Sequence, residues 1–219
     1  MAYEHILFDL DGTLTDPALG ITNSLIYALK KYNIEVKDRR ELYCCIGPPL
    51  IGSFEKIWGF DRKKAEQAVG FYREYFAVKG IFENEVYEGI PQLLERLTQS
   101  GKKLYLATSK PEEYARQILE HFNLDSYFTF VAGNTLEESR PTKYEVLSFL
   151  KEQIPEITAQ NSVMVGDTKY DALGAQKAGL DCIGVLYGYG SAEDFADAGV
   201  QRTVNSVAEL EKILLKGAY

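Results

Sequence analysis

Residues 5–16 read His5-Ile6-Leu7-Phe8-Asp9-Leu10-Asp11-Gly12-Thr13-Leu14-Thr15-Asp16, an apolar run of strand length that drives into two carboxylates with a glycine behind them. Such a run suits a buried strand, and in open α/β sheets ligands gather at the exposed C-terminal strand ends. Asp9 and Asp11 stand two residues apart, and a strand end cannot bury both without a counter-charge, because unpaired buried carboxylates are costly and would rather take up a proton. A bound cation answers this. Magnesium suits an all-oxygen site that keeps positions open for water and a substrate phosphate.

Beyond Asp16 the rhythm changes. Leu19, Ile21, Leu25, Ile26 and Leu29 predict a helix from Pro17 to about Tyr32, with Asp16 as its cap. Three more helices are expected near 39–46, 50–58 and 63–79, separated by Gly47-Pro48-Pro49 and Gly59-Phe60-Asp61, with no strand signal among them. From about Val86 helix and strand alternate. Helices are expected at 91–100, 111–122, 142–153 and 171–178, and strands at 103–107, 128–132, 162–166 and 182–186. Short helices at 192–198 and 207–216 flank an expected edge strand at 202–204. The alternation predicts an α/β fold, a doubly wound parallel sheet formed by residues 1–15 and 85–219, with an inserted all-helical cap at 16–84. An insertion directly after the first strand lands above the C-terminal strand ends, the position of a lid.

The net charge of −8 argues against a nucleic-acid binder, which normally carries a basic patch. Three cysteines, two of them adjacent at Cys44 and Cys45, make neither a disulfide framework nor a zinc-ligand spacing. There is no signal-peptide pattern, and no apolar run reaches the ~18 residues of a membrane span. These features predict a cytoplasmic protein with a small-molecule partner, no nucleic acid and no membrane, as a monomer or weak homodimer.

Four polar signatures fall where sheet strands should end: Asp9 with Asp11, Thr108 with Ser109, the Arg140 to Lys143 segment, and Asp167 with Asp171. Phosphoryl transfer needs a nucleophile, an acid for the leaving group, a cation, and donors for the oxygens on which charge spreads. These residue types supply each part. Here the sequence resembles the haloacid dehalogenase superfamily of phosphatases, in its phosphoglycolate-phosphatase-like branch with a helical cap, and the resemblance covers essentially the whole chain.

That resemblance implies an enzyme that hydrolyses a small phosphate monoester with Mg2+, of phosphoglycolate or nucleoside monophosphate type, through an aspartyl phosphate. The motif D-x-D-G-T stands as Asp9-Leu10-Asp11-Gly12-Thr13, with Asp9 implied as nucleophile and Asp11 as general acid/base, and Gly12 and Thr13 beside the phosphate. The second motif is matched by Thr108-Ser109-Lys110-Pro111. Pro111 in a first helical turn would open backbone N–H groups toward the crevice, and Thr108, Ser109 and Lys110 are the phosphate-binding candidates. The fourth motif, G-D-x-x-x-D, is Gly166 to Asp171. It implies Asp167 as a metal ligand beside Asp9 and Asp11, with Asp171 nearby or acting through water. Asp171 also suits a helix N-cap.

The third motif departs from the common pattern. Relatives place a lysine directly before a proline, but here Arg140 precedes Pro141 and the nearest lysine is Lys143. A compact ammonium fits between a nucleophile and a transferring oxygen better than a wide guanidinium, so Lys143 is the expected catalytic cation and Arg140 an orienting or substrate-binding group. Gly47-Pro48-Pro49-Leu50 and Tyr187-Gly188-Tyr189-Gly190 also resemble family loops, although both read equally well as plain turns. A sugar phosphomutase of the same fold is one rival reading, and a non-catalytic phosphate-sensing or protein-binding module another. The complete acid set weighs against the latter.

Overall fold

The structure is a computed structural model that describes residues 3–216. Residues 1–2 and 217–219, which the expected core includes, lie outside the described residues. The chain forms two compact units, one of Met1–Thr15 with Val86–Tyr219 and one of Asp16–Glu85. Among the described residues, no helix is long and apolar enough to cross a membrane.

The first unit is built on a six-stranded sheet in the order β5-β4-β1-β6-β7-β8, formed by Phe128–Asn134, Lys103–Pro111, His5–Phe8, Ser162–Gly166, Asp181–Val185 and Arg202–Val204. Every pairing is parallel. The predicted edge strand at Arg202–Val204 is indeed an edge. β1 is central and wholly buried, which explains its lack of polar alternation. Leu7 packs with Tyr105, Met164, Val146, Leu147 and Ala175, which brings in the helices Lys143–Gln153 (α6) and Lys169–Ala178 (α7). Its neighbours Ile6 and Phe8 are equally buried and point to the opposite face, so both faces are covered. The register pairs Phe8 with Leu106 and Val165, and the Asp9 N–H donates to the Val165 carbonyl at 2.9 Å. Asp9 is thereby fixed one step beyond the sheet's last central rung.

The second unit contains the helices Ala18–Lys30 (α1), Leu50–Trp58 (α2) and Arg62–Tyr75 (α3). Thr15–Asp16 (β2) and Glu85–Val86 (β3) form a two-stranded sheet at the points where the chain passes between units. Three expectations here need correction. The N-cap position of α1 is Pro17, although the Asp16 carboxylate, one residue earlier, still accepts the Ala18 N–H at 3.0 Å. Arg39–Cys45 is a 3-10 rather than an α-helix, with Asp38 accepting the Arg40 N–H. The third helix stops at Tyr75 and widens into a π turn over Phe76–Gly80. That turn brings the Gly80 carbonyl against Gly20 of α1, where a Cβ on Gly20 would lie 1.9 Å from the oxygen.

Two boundaries in the first unit shift for reasons that matter to the site. β4 runs on to Pro111, with irregular register past Ala107, so Thr108, Ser109 and Lys110 belong to the strand. Pro111 is the N-cap position of the helix Glu112–His121 (α5), not a first-turn residue, and Ser109 caps nothing. α7 begins at Lys169, and its N-cap is Thr168. Asp171 is the third helical residue, whose carboxylate reaches back to the Thr168 N–H and hydroxyl, both at 3.0 Å.

Candidate active site

β1, β4 and β6 end side by side, and the start of α7 follows β6. This brings Asp9, Asp167 and Asp171 together, all buried, with one oxygen from each lying within 4.8 Å of the others. Lys143, the first residue of α6, reaches into the group. Its ammonium lies 2.8 Å from Asp9 Oδ1 and 2.7 Å from Asp171 Oδ1, and donates to the Ala107 carbonyl at 2.8 Å. Three acceptors match the three N–H bonds of an ammonium, which compensates a cation placed at the unfavourable end of a helix dipole. Gly174 of α7 makes the approach possible, since a Cβ there would lie 2.7 Å from Lys143 Cβ.

Charge at this cluster does not balance. Three carboxylates against one ammonium leave two negative charges. Burial raises Asp9, and Lys143 only partly offsets it against the pressure of Asp171 and Asp11, leaving the carboxyl at about 6. Asp167 is held well above the ordinary carboxylate range by burial and then by Asp171 and Asp9. Burial alone would depress Lys143, but Asp171 and Asp9 outweigh it and hold the ammonium charged. Asp167 Oδ1 is buried without a hydrogen-bond partner among the described residues. A divalent cation would cancel the excess and occupy that oxygen, so the donor set fits one. Asp9 and Asp167 are the residues best placed to hold it, because both Asp171 oxygens are engaged, one by Lys143 and the other by Thr168.

Asp11 stands apart from this cluster. Its carboxylate pairs with the Lys110 ammonium at 2.6 Å, both side chains being largely buried. The Lys110 N–H donates to the Thr108 hydroxyl at 3.3 Å, and Thr108 itself is buried. Gly12 takes a positive φ of 81°, and a Cβ there would lie 2.0 Å from Asp167 Oδ2, so only glycine fits. Thr13 is fully buried, its hydroxyl has no hydrogen-bond partner among the described residues, and its carbonyl accepts from Tyr187.

The structure does not bring Arg140 to the acids. Its Nε donates to the Gly133 carbonyl at 2.8 Å, its Nη2 lies 3.5 Å from Glu112 Oε2, and the guanidinium stacks on Phe149 with 3.9 Å to the ring centroid. The loop after β7, residues 187–190, which the sequence marked as either a family-like loop or a plain turn, lies against Asp167 and Thr13. The signal was its glycines.

Comparison with known proteins agrees with this geometry. The haloacid dehalogenase-like hydrolase family matches residues 6–185. A 5'-nucleotidase of Pseudomonas aeruginosa is 42% identical over 98% of this chain and 96% of its own length. The tyrosine-protein kinase PtkA of Mycobacterium tuberculosis is 36% identical over 95% of this chain and 70% of its own. The crystal structure of a predicted phosphatase from Clostridium acetobutylicum superposes with a TM-score of 0.95 at 46% identity, covering 99% of this chain and 100% of that one. With the acid cluster at the ends of a parallel sheet and a family match that spans most of the sequence, the chain belongs to the haloacid dehalogenase-like hydrolases.

Proposed function

We propose that the protein is a magnesium-dependent phosphatase that hydrolyses a small phosphate monoester through a phosphorylated Asp9. The observation that carries this reading is the Lys143 ammonium held 2.8 Å from Asp9 Oδ1 inside a cluster of carboxylates. A purely structural ion pair would need one acid, not three with one orphaned oxygen. Asp9, as the carboxylate, attacks phosphorus in line while the bond from phosphorus to the leaving oxygen breaks, and Asp11 in its protonated form gives that oxygen its proton. Asp11 then takes a proton from water, the water oxygen attacks the phosphorus, and phosphate leaves Asp9 free. Lys143 holds positive charge beside the nucleophile, where the phosphoryl oxygens gather negative charge, and the Thr108 hydroxyl lies on the neighbouring strand end. If bound by Asp9 and Asp167, Mg2+ would supply further neutralisation of the charge that develops on the phosphoryl group.

A nucleoside monophosphate is the favoured substrate. The similarity to a 5'-nucleotidase at 42% identity, nearly end to end, supports it over phosphoglycolate. Phosphate release with Mg2+ across nucleoside 5'-monophosphates, phosphoglycolate and sugar phosphates, compared by kcat/KM, tests the reading. Turnover concentrated on nucleotides, and absent in Asp9→Asn, is the expected result. Sugar-phosphate turnover without release of free phosphate would indicate a phosphomutase instead.

A further inference from the structure

The four residues after Leu186 fold back over the Asp9-to-Thr13 turn and over Asp167. The Tyr189 N–H donates to Asp167 Oδ2 at 2.8 Å, the Gly190 N–H donates to the Asp167 carbonyl at 3.0 Å, and the Tyr187 hydroxyl donates to the Thr13 carbonyl at 3.0 Å. Both glycines sit where no side chain fits. A Cβ at Gly188 would lie 2.3 Å from the Gly12 carbonyl oxygen and 2.4 Å from Asp167 Cβ, and one at Gly190 would lie 2.1 Å from the Asp167 carbonyl oxygen. Tyr187 is held by an edge-on ring contact with Tyr87, 5.1 Å between centroids.

The two oxygens of Asp167 are therefore not equivalent. Oδ2 is bonded to a backbone donor and pressed against Gly12, while Oδ1 is buried and has no hydrogen-bond partner among the described residues. We propose that the 187–190 loop is a positioning element for the cation, one that fixes Asp167 in a single orientation so that Oδ1 alone is offered as a ligand atom. Without the Tyr189 N–H, repulsion from Asp9 and Asp171 would turn the carboxylate away or let it rotate between oxygens. With it, the carboxylate is confined to one-oxygen ligation, which suits the small octahedral shell of Mg2+ and penalises Ca2+, a cation that accepts two-oxygen carboxylates and a wider shell. The inference rests on the cation reading proposed above.

Mn2+ binding followed by electron paramagnetic resonance, with competition by Mg2+ and Ca2+, tests it on the whole protein without reference to turnover. Wild type binds Mn2+ and Asp167→Asn does not; failure of wild type to bind would overturn the cation reading itself, and this inference with it. Given that binding, Gly188→Ala should weaken Mn2+ affinity by roughly 10- to 100-fold, and Tyr187→Phe by a smaller factor of about 3 to 10, the scale of lost support around a metal ligand. Both should lower the preference for Mg2+ over Ca2+. The melting temperature of the metal-free protein separates this from simple loosening of the fold. Wild-type affinity and ion preference in Tyr187→Phe would overturn the inference, and so would a Gly188→Ala protein that melts earlier yet binds Mn2+ as wild type does. Should Gly188→Ala fail to fold, Tyr187→Phe decides alone.

Discussion

Asp9 keeps its proton to about pH 6 in the folded protein, against 3.8 for an ordinary aspartate, because burial outweighs the help of Lys143. The folded state thus binds more protons than the unfolded chain between those values. Stability drawn from this group is full below about pH 4 and is lost as pH rises toward about 6. Asp9→Asn removes the loss. In chelator, the variant should be more stable than wild type by up to about 3 kcal/mol near pH 8 and gain little near pH 4. Thermal melts at both pH values check this, and an equal gain at both would exclude an electrostatic origin. Lys143 and Arg140 give a second test, since the sequence offers both as the third-motif cation and favours Lys143. With Lys143 among the acids and Arg140 on Gly133, Glu112 and Phe149, Lys143→Ala should cost kcat at least ~100-fold. Arg140→Ala should lower the melting temperature and leave kcat within a few-fold. The reverse pattern, measured by steady-state kinetics on folded variants, would transfer the catalytic charge to Arg140. Only distance separates these two residues, and the sequence does not encode distance directly. Asp9 and Asp167 were legible because each ends a strand written as a plain apolar run. The work of residues 187–190 was not, because it is done by backbone N–H groups and by the absence of side chains.

The elements themselves were readable wherever one periodicity dominated. β1 and β6 are buried along their length, and the helix Leu50–Trp58 is bounded by Pro49 and by Gly59 in a left-handed conformation. Reading failed where a local signal was outvoted by packing. Ser109-Lys110-Pro111 looks like a helix entry, yet parallel pairing extends β4 through it, with Pro111 opposite Asn134. The π turn at Phe76–Gly80 has no sequence mark of its own, and the residue it packs against, Gly20, lies far along the chain. That crossing supplies the third prediction. Gly20→Ala places a methyl 1.9 Å from the Gly80 carbonyl oxygen and strains the Gly20 N–H bond to the Glu83 carbonyl, now 2.9 Å. It should destabilise the second unit by more than ~2 kcal/mol, as forced overpacking against backbone does. Urea unfolding would show it, and a change below ~0.5 kcal/mol would mean that the two backbones are not in close contact in solution.

On the scale of the whole molecule, the chain leaves the sheet unit after Thr15, in the segment that follows Asp11, and returns at Val86. Each unit buries a core of its own, Leu7, Tyr105, Leu147 and Met164 in one and Leu25, Leu29, Phe54 and Phe76 in the other. The two crossings are paired strands, so a short Gly/Ser linker spans the cut ends at little entropic cost. Every residue that makes or supports the acid cluster belongs to the sheet unit. Replacing residues 17–84 with such a linker should therefore leave the chemistry of phosphoryl transfer in place. What the insertion is expected to contribute, from its place in the sequence directly after the first strand, is selection of the leaving group. The trimmed protein should keep hydrolysis of a generic aryl phosphate within about 10-fold and lose turnover of its preferred ester by ~100-fold or more. The aryl group carries its own good leaving ability and asks little of remote binding, whereas the natural ester depends on it. Parallel kcat/KM measurements on the two substrates decide the matter, and losses of equal size on both would refute a selective role for the helical insertion.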